Sequence, residues 1–161
     1  MCKGLSSLPS SCLEKAKGMR VKLIHLADAH HKHRLHDGKT LQDLETLLNT
    51  KSGLQAFRGF LRSEFSEENL EFWLACEDFR VSPSNLLKNK ASKIYSQFVN
   101  PEAPLEVNLD AETREALLGV MESPSADSFL EAQQRIYSLM AKDSFPRFLR
   151  SQLCVEALKA F

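Results

Sequence analysis

Phe57-Arg-Gly-Phe-Leu-Arg-Ser-Glu-Phe-Ser-Glu-Glu-Asn-Leu-Glu-Phe-Trp-Leu-Ala-Cys-Glu-Asp-Phe-Arg80 decides the fold. The stretch holds five of the ten phenylalanines and the single tryptophan, and the polar run Glu64-Phe65-Ser66-Glu67-Glu68-Asn69 divides it. Before that run, Phe57, Phe60 and Leu61 share one helical stripe. After it, Phe72, Cys76 and Phe79 form one edge of a second helix and Leu70, Trp73 and Leu74 another. Ser66 reads as the N-cap of that helix, with Glu67 and Glu68 in the electropositive first turn and Asn69 at its third position. The spacing therefore predicts two apolar helices joined at a short acidic corner, a place that can present polar groups to a partner.

The same period extends in both directions. Thr40 is expected to cap a short helix with Leu41, Leu44, Leu47 and Leu48 inward, ending before Gly53. Pro83 breaks the chain after the central pair, and Leu87, Ala91, Ile94 and Phe98 mark a helix over about residues 85–99. Pro101 and Pro104 bound a loop that ends in Val107-Asn108-Leu109, and Asp110 is placed to cap a helix near 111–121. Phe129, Ala132, Ile136 and Met140 line another helix starting near Asp127, which Asp143-Ser144 is expected to interrupt. Pro146 suits the first turn of a further helix, and Leu149, Leu153 and Leu158 carry the apolar face to the end. With no alternating β-branched run and no repeat, the reading is all-α.

The chain has 161 residues, enough for one domain plus a tail, with a core that needs no disulfide staple. Four scattered cysteines and an opening that lacks the apolar run of a secretory signal point to reduced thiols in the cytosol. No stretch approaches the length of a membrane span. The zero net charge hides an asymmetry: residues 1–39 carry eight basic and three acidic side chains, net +5, and the remainder balances it at −5. All five histidines (His25, His30, His31, His33, His36) lie in that basic segment.

Within the head, Leu5, Leu8, Cys12, Ala16, Met19, Leu23 and Leu26 recur at helical spacing between lysines and arginines. Ser11 with Glu14 three residues on is a capping-box start. A basic amphipathic helix of this kind lies in an anionic lipid surface; a helix docked on its own domain, or a frayed tail, is the plainer alternative. The tract Ala29–Gly38 is rich in histidine, but no thiol or carboxylate pattern completes a tetrahedral metal site, so it reads as a polar linker that gains charge as pH falls.

Chemistry by the chain itself finds little support. The histidines are remote in sequence from Cys76 and Cys154, and no Gly-rich phosphate loop, HExxH or Cys-x-x-Cys occurs. Glu67, Glu68 and Glu71 are read as solvated residues at a helix start. What remains is a discontinuous set of polar groups beside apolar anchors: Glu64–Asn69, Asn108 and Asp143-Ser144-Phe-Pro-Arg147. Each alone reads as a cap or turn; together they suggest one contact surface.

The run Phe57–Leu61, Ser-Glu-Phe-Ser-Glu-Glu-Asn at 63–69 and Glu71-Phe-Trp-Leu-Ala-Cys-Glu-Asp-Phe79 resemble the regulator of G-protein signalling (RGS) domain. The likeness extends through Glu106-Val-Asn-Leu-Asp110, Phe129-Leu-Glu-Ala-Gln133 and Leu139-Met-Ala-Lys-Asp-Ser-Phe-Pro-Arg-Phe-Leu149, over roughly residues 41–160. The opening, from Met1-Cys-Lys-Gly-Leu to Cys12-Leu, is similar to that of small members with a membrane-binding N-terminal segment. The resemblance implies residues 1–39 as a membrane-targeting segment and linker, and 40–161 as an RGS domain of about nine helices in two sub-bundles. It implies a GTPase activator for G-protein α subunits (Gα) of the Gi and Gq classes, with no catalytic chemistry of its own, that ends signalling from receptors. Glu64, Phe65, Ser66, Glu68 and Asn69 match the first contact loop, Asn108 the asparagine that reaches the Gα active site, and Leu139, Asp143, Ser144 and Arg147 the last. The alternative is a non-activating membrane adaptor that binds Gα irrespective of nucleotide.

The partners expected are GTP-bound Gα and, through residues 1–34, an anionic membrane surface. No nucleic acid, cofactor or metal is expected, and the chain is expected to act as a monomer. Its expected place is the cytoplasm, with peripheral recruitment to the plasma membrane. Cys2 and Cys12 suit reversible palmitoylation, the second anchor that a weak helix needs. The family implies Cys76 as a further acceptor, against which stands its position on the apolar stripe with Phe72 and Phe79. Two positions depart from the family pattern. Ala141 replaces an acidic residue, altering contact at the rim, and Arg80-Val81 stands where a lysine pair is tied to acidic lipid and calmodulin.

Overall fold

A helix ends where its last carbonyls find other partners, and the first such ending organises the N-terminal part of the domain. The computed structural model describes residues 37–159. Within them α1 spans Asp37–Leu48 and α2 spans Lys51–Ser63. Thr50 bridges the two: its hydroxyl donates to the Leu47 carbonyl at 3.2 Å and accepts the Gly53 amide at 3.1 Å. Helix α1 thus ends before Gly53, as expected, and Gly53 lies inside the first turn of α2. A Cβ there would sit 2.4 Å from the Leu47 carbonyl oxygen, so only glycine fits this approach. Thr40, expected as the cap of α1, falls inside it, because the helix starts three residues earlier.

The chain divides into two compact units, in accord with the two sub-bundles expected: residues 37–63 with 141–159, and residues 64–140. In the first, α2 packs on α1, on α7 (Phe145–Leu149) and on α8 (Gln152–Lys159). Its core is aromatic. Phe57 meets Phe148 edge to face at 5.4 Å and Phe145 at 6.4 Å, and Phe60 leans on Phe148 at 5.6 Å. Leu44, Leu47, Leu61, Leu149 and Cys154 are buried with them. Pro146 occupies the first turn of α7, where its missing N–H costs nothing. The expected interruption at Asp143-Ser144 is instead a π-helical turn, Met140–Ser144, so the backbone remains helical up to Phe145. Leu153 is only half buried, and Cys154 beside it is buried; Leu158 lies outside the residues whose side chains are described.

In the second unit α3 (Glu68–Arg80) packs on α4 (Leu87–Ile94) and on α6 (Leu130–Leu139). The helix read as starting near Asp127 begins at Leu130, after turns through 126–129. Phe79 meets Phe129 at 5.0 Å and Phe72 meets Phe98 at 5.6 Å, both edge to face. Trp73, half exposed on the other edge of α3, packs against Tyr137 at 6.0 Å. Below it Gln133, itself buried, donates to Glu77 at 2.6 Å and to the Trp73 carbonyl at 3.3 Å, joining α3 to α6. A one-turn 3-10 helix, Ser84–Leu86, leads into α4, and a π-helical turn, Tyr95–Val99, closes it. α5 (Ala111–Val120) packs on that π turn. The described residues contain no strand, and none of their helices is long and apolar enough to cross a membrane.

Candidate functional site

Asn108 is shown to solvent by a turn with bonds on every side. The π turn beneath it offers two carbonyls: Leu105 N–H donates to Gln97 at 3.0 Å and Val107 N–H to Phe98 at 2.9 Å. Val107 and Leu109 bury their side chains, and the Leu109 N–H closes back on the Val107 carbonyl at 3.0 Å. That three-residue closure is a γ-turn with Asn108 at its apex, so the amide side chain points away from the buried pair. Asp110 then takes extended dihedrals at the N-cap of α5. The Thr113 hydroxyl, and after it the guanidinium of Arg135, hold its carboxyl below the usual carboxylate range.

Asn108 and Asp110 line an open concavity of about 390 Å³ with Gln134, Arg135, Ser138 and Leu139 of α6. Asn108 and Leu139, matched to separate contact segments, are thus brought together, and Leu139 keeps an apolar edge exposed there. Glu64, Phe65, Ser66, Glu68 and Asn69 do not line this concavity. Glu64, Phe65 and Ser66 form the corner before α3, and Glu68 and Asn69 are its first two residues. Phe65 is 93% exposed with φ +56°, a left-handed backbone that a bulky residue rarely adopts. Ser66 does not cap the helix as expected: Glu67 is the N-cap residue, no side chain caps it, and the Ser66 hydroxyl is buried without a hydrogen-bond partner. Glu64 is exposed, Glu68 partly so, and Asn69 is buried.

Asp143, Ser144 and Arg147 belong to the first unit. Arg147 on α7 donates to the Asp143 carboxylate of the π turn at 2.5 Å, both half exposed, while Ser144 is buried. Ala141 is fully covered, so this position is not an exposed rim in this chain. Arg80 pairs with Glu77 at 3.6 Å and Val81 stands in solvent.

Cys76 is buried on the stripe with Phe72 and Phe79, and burial pushes its thiol far above the ordinary range, with Glu77 adding to the shift. A covered, protonated thiol is a poor acyl acceptor, which favours the packing reading of this residue. Cys154 is likewise buried, and desolvation pushes its thiol up to about 11. Cys2, Cys12 and the amphipathic stripe lie outside the described residues. Among the described residues no cluster of His, Cys, Asp or Glu is placed to hold a metal ion.

Two arginines at the site carry no local signal in the sequence. Arg114 of α5 reaches Glu106 at 3.0 Å and the Leu109 carbonyl at 3.4 Å; Arg135 of α6 reaches Asp110 at 2.9 Å. Both brace the Asn108 turn. The Arg135 contact spans 25 residues, so no local spacing could have revealed it.

Residues 43–156 match the family model described as the regulator of G protein signaling domain. "Regulator of G-protein signaling 5" of Sus scrofa is 44% identical over 181 residues, covering 99% of this chain and all of the relative. "Regulator of G-protein signaling 8" of Rattus norvegicus is 52% identical over 115 residues, 71% of this chain and 64% of the relative. "Regulator of G-protein signaling 1" of Mus musculus is 50% identical over 117 residues, 73% of this chain and 56% of the relative. An all-helical domain in two units, matched over most of its length by a family model and end to end by a relative, makes this chain a member of the regulator of G-protein signalling family.

Proposed function

We propose that this chain accelerates GTP hydrolysis by Gα subunits of the Gi and Gq classes and so ends signalling from their receptors. The observation that carries the reading is Asn108, held at the apex of a braced turn beside the exposed edge of Leu139. The chain would donate no acid, base or arginine finger. Gα already holds an arginine in cis, and its glutamine must orient the attacking water. An amide delivered on a rigid turn can steady that glutamine. The Glu64–Asn69 corner and the Asp143–Arg147 pair would grip the switch segments. Affinity greater for the transition-state arrangement than for the ground state is what lowers the barrier.

Single-turnover hydrolysis by GTP-loaded Gα, with and without the full chain, tests this. Acceleration is expected, together with tighter binding to Gα carrying GDP and aluminium fluoride than to Gα carrying GDP alone. Equal affinity for the two forms and no acceleration would leave only an adaptor. Arg147→Ala removes a charge-assisted bond and is expected to weaken binding by roughly 1.5–3 kcal/mol. We further propose that residues 1–39 are a targeting segment, with residues 1–34 binding anionic membranes as a basic amphipathic helix and Cys2 and Cys12 as acyl acceptors. Vesicle binding that needs anionic lipid and weakens with salt is the expected result; equal binding to neutral vesicles would refute it.

A further inference from the structure

Arg135 and Asp110 connect the two walls of the concavity, and we propose that Arg135 is a positioning residue for Asn108 in the acceleration of GTP hydrolysis. The inference rests on the activator reading above. Asn108 leaves the backbone from a γ-turn, whose i to i+2 bond is bent and restrains little by itself. The buried side chains of Val107 and Leu109 fix the depth of the turn, but not its swing along the surface. Swing is limited from two sides. Arg114, with a side chain only 23% exposed, holds Glu106 and the Leu109 carbonyl from α5. Arg135 holds the Asp110 carboxylate from α6 at 2.9 Å and also reaches Glu131 at 3.4 Å.

Arg135 lies three and four residues before Ser138 and Leu139, so all three share one face of α6 and line the same concavity. The bridge to Asp110 therefore sets the spacing between the amide of Asn108 and the apolar edge of Leu139. Both partners of that bridge are about half exposed, which keeps its contribution to overall stability small. Its effect lies in local geometry, where a displacement of about 1 Å in a positioning group can change a rate by orders of magnitude.

The test uses the full chain and single-turnover hydrolysis by GTP-loaded Gα, with Arg135→Ala, Arg135→Lys, Asn108→Ala and the double variant Asn108→Ala/Arg135→Ala. Arg135→Ala is expected to lower the acceleration about threefold while the melting temperature stays within about 3 °C of the parent chain. Arg135→Lys, which keeps a cation for Asp110, is expected to recover most of the loss. The deciding measurement is the double variant. If Arg135 acts through Asn108, removing it causes no further loss once the amide is gone. The same threefold loss in both backgrounds overturns the proposal, as does an Arg135→Ala chain that matches the parent. A parent chain that gives no acceleration sinks the activator reading itself, a result none of the variants can imitate.

Discussion

Asn108 and Phe65 both leave the second unit from polar interruptions between helices, yet their backbones are held in opposite ways. Around Asn108, Leu105, Val107 and Leu109 all donate main-chain bonds, two apolar side chains are buried and two arginines reach in. At the corner, Phe65 sits at φ +56° with its ring in solvent, and the Ser66 hydroxyl is covered without a partner. One segment has its shape imposed by neighbours. The other stores unfavourable terms in the free chain, as segments kept for a partner often do. If that contrast is right, damage to the buried supports of Asn108 costs stability, whereas simplifying the corner gains it.

Phe98→Ala is the harshest way to break the contrast. Phe98 supplies the carbonyl that Val107 bonds, and its ring packs on Phe72 while almost fully buried. Truncation is expected to cost about 3–5 kcal/mol in urea unfolding, through lost contacts and a cavity beside Phe72. A loss below about 1 kcal/mol would mean that the segment bonding the turn does not depend on this ring.

Asn108→Ala separates presentation from support. The side chain is exposed, so unfolding is expected to be unchanged within about 0.5 kcal/mol. Under the activator reading, binding to Gα with GDP and aluminium fluoride weakens by about 1–3 kcal/mol, the cost of leaving a buried partner group unsatisfied. A variant that unfolds more easily but accelerates normally would invert the assignment of this residue.

The same contrast explains what the sequence revealed. Helical periodicity located the core, because burial follows spacing: Leu44, Leu47, Phe57, Phe60, Phe72, Phe79, Ala91, Ile94, Phe129 and Ile136 are all buried where the stripes put them. Segments whose form depends on distant partners are less legible in the sequence. Thr40, expected to cap α1, lies inside it, and the junction of α1 with α2 is made by Thr50, since the signal for that junction is a glycine approached by a carbonyl of the preceding helix. Asp143-Ser144 resembles a break because small polar residues favour turns, yet the chain absorbs them in a π turn. Asn108 was legible as a polar residue between two apolar ones. Arg114 and Arg135 were not, because an arginine on a helix surface has the same local pattern whether or not it braces a loop.

Phe65→Gly tests the corner directly. Glycine removes the left-handed penalty of roughly 1–2 kcal/mol but adds backbone entropy to the unfolded chain, and no core contact is lost with an exposed ring. A net gain of about 0.5–1 kcal/mol is expected in urea unfolding. If the ring anchors Gα, affinity falls in the same variant. Stability and binding moving together would argue that Phe65 is strained for no purpose.

Ser66→Ala has a small expected effect and the most pointed interpretation. Its hydroxyl is buried and unpaired in the free protein, so removing it is expected to stabilise the fold by up to about 1 kcal/mol. A serine that caps the helix would behave oppositely, since loss of a cap costs about 1 kcal/mol. The sign of one unfolding measurement therefore decides between the cap that local sequence suggests and the orphan that the structure shows. Binding supplies the second sign. A hydroxyl left unsatisfied until Gα arrives predicts a variant that is more stable alone and weaker in complex, which neither a cap nor a passive filler of space would produce.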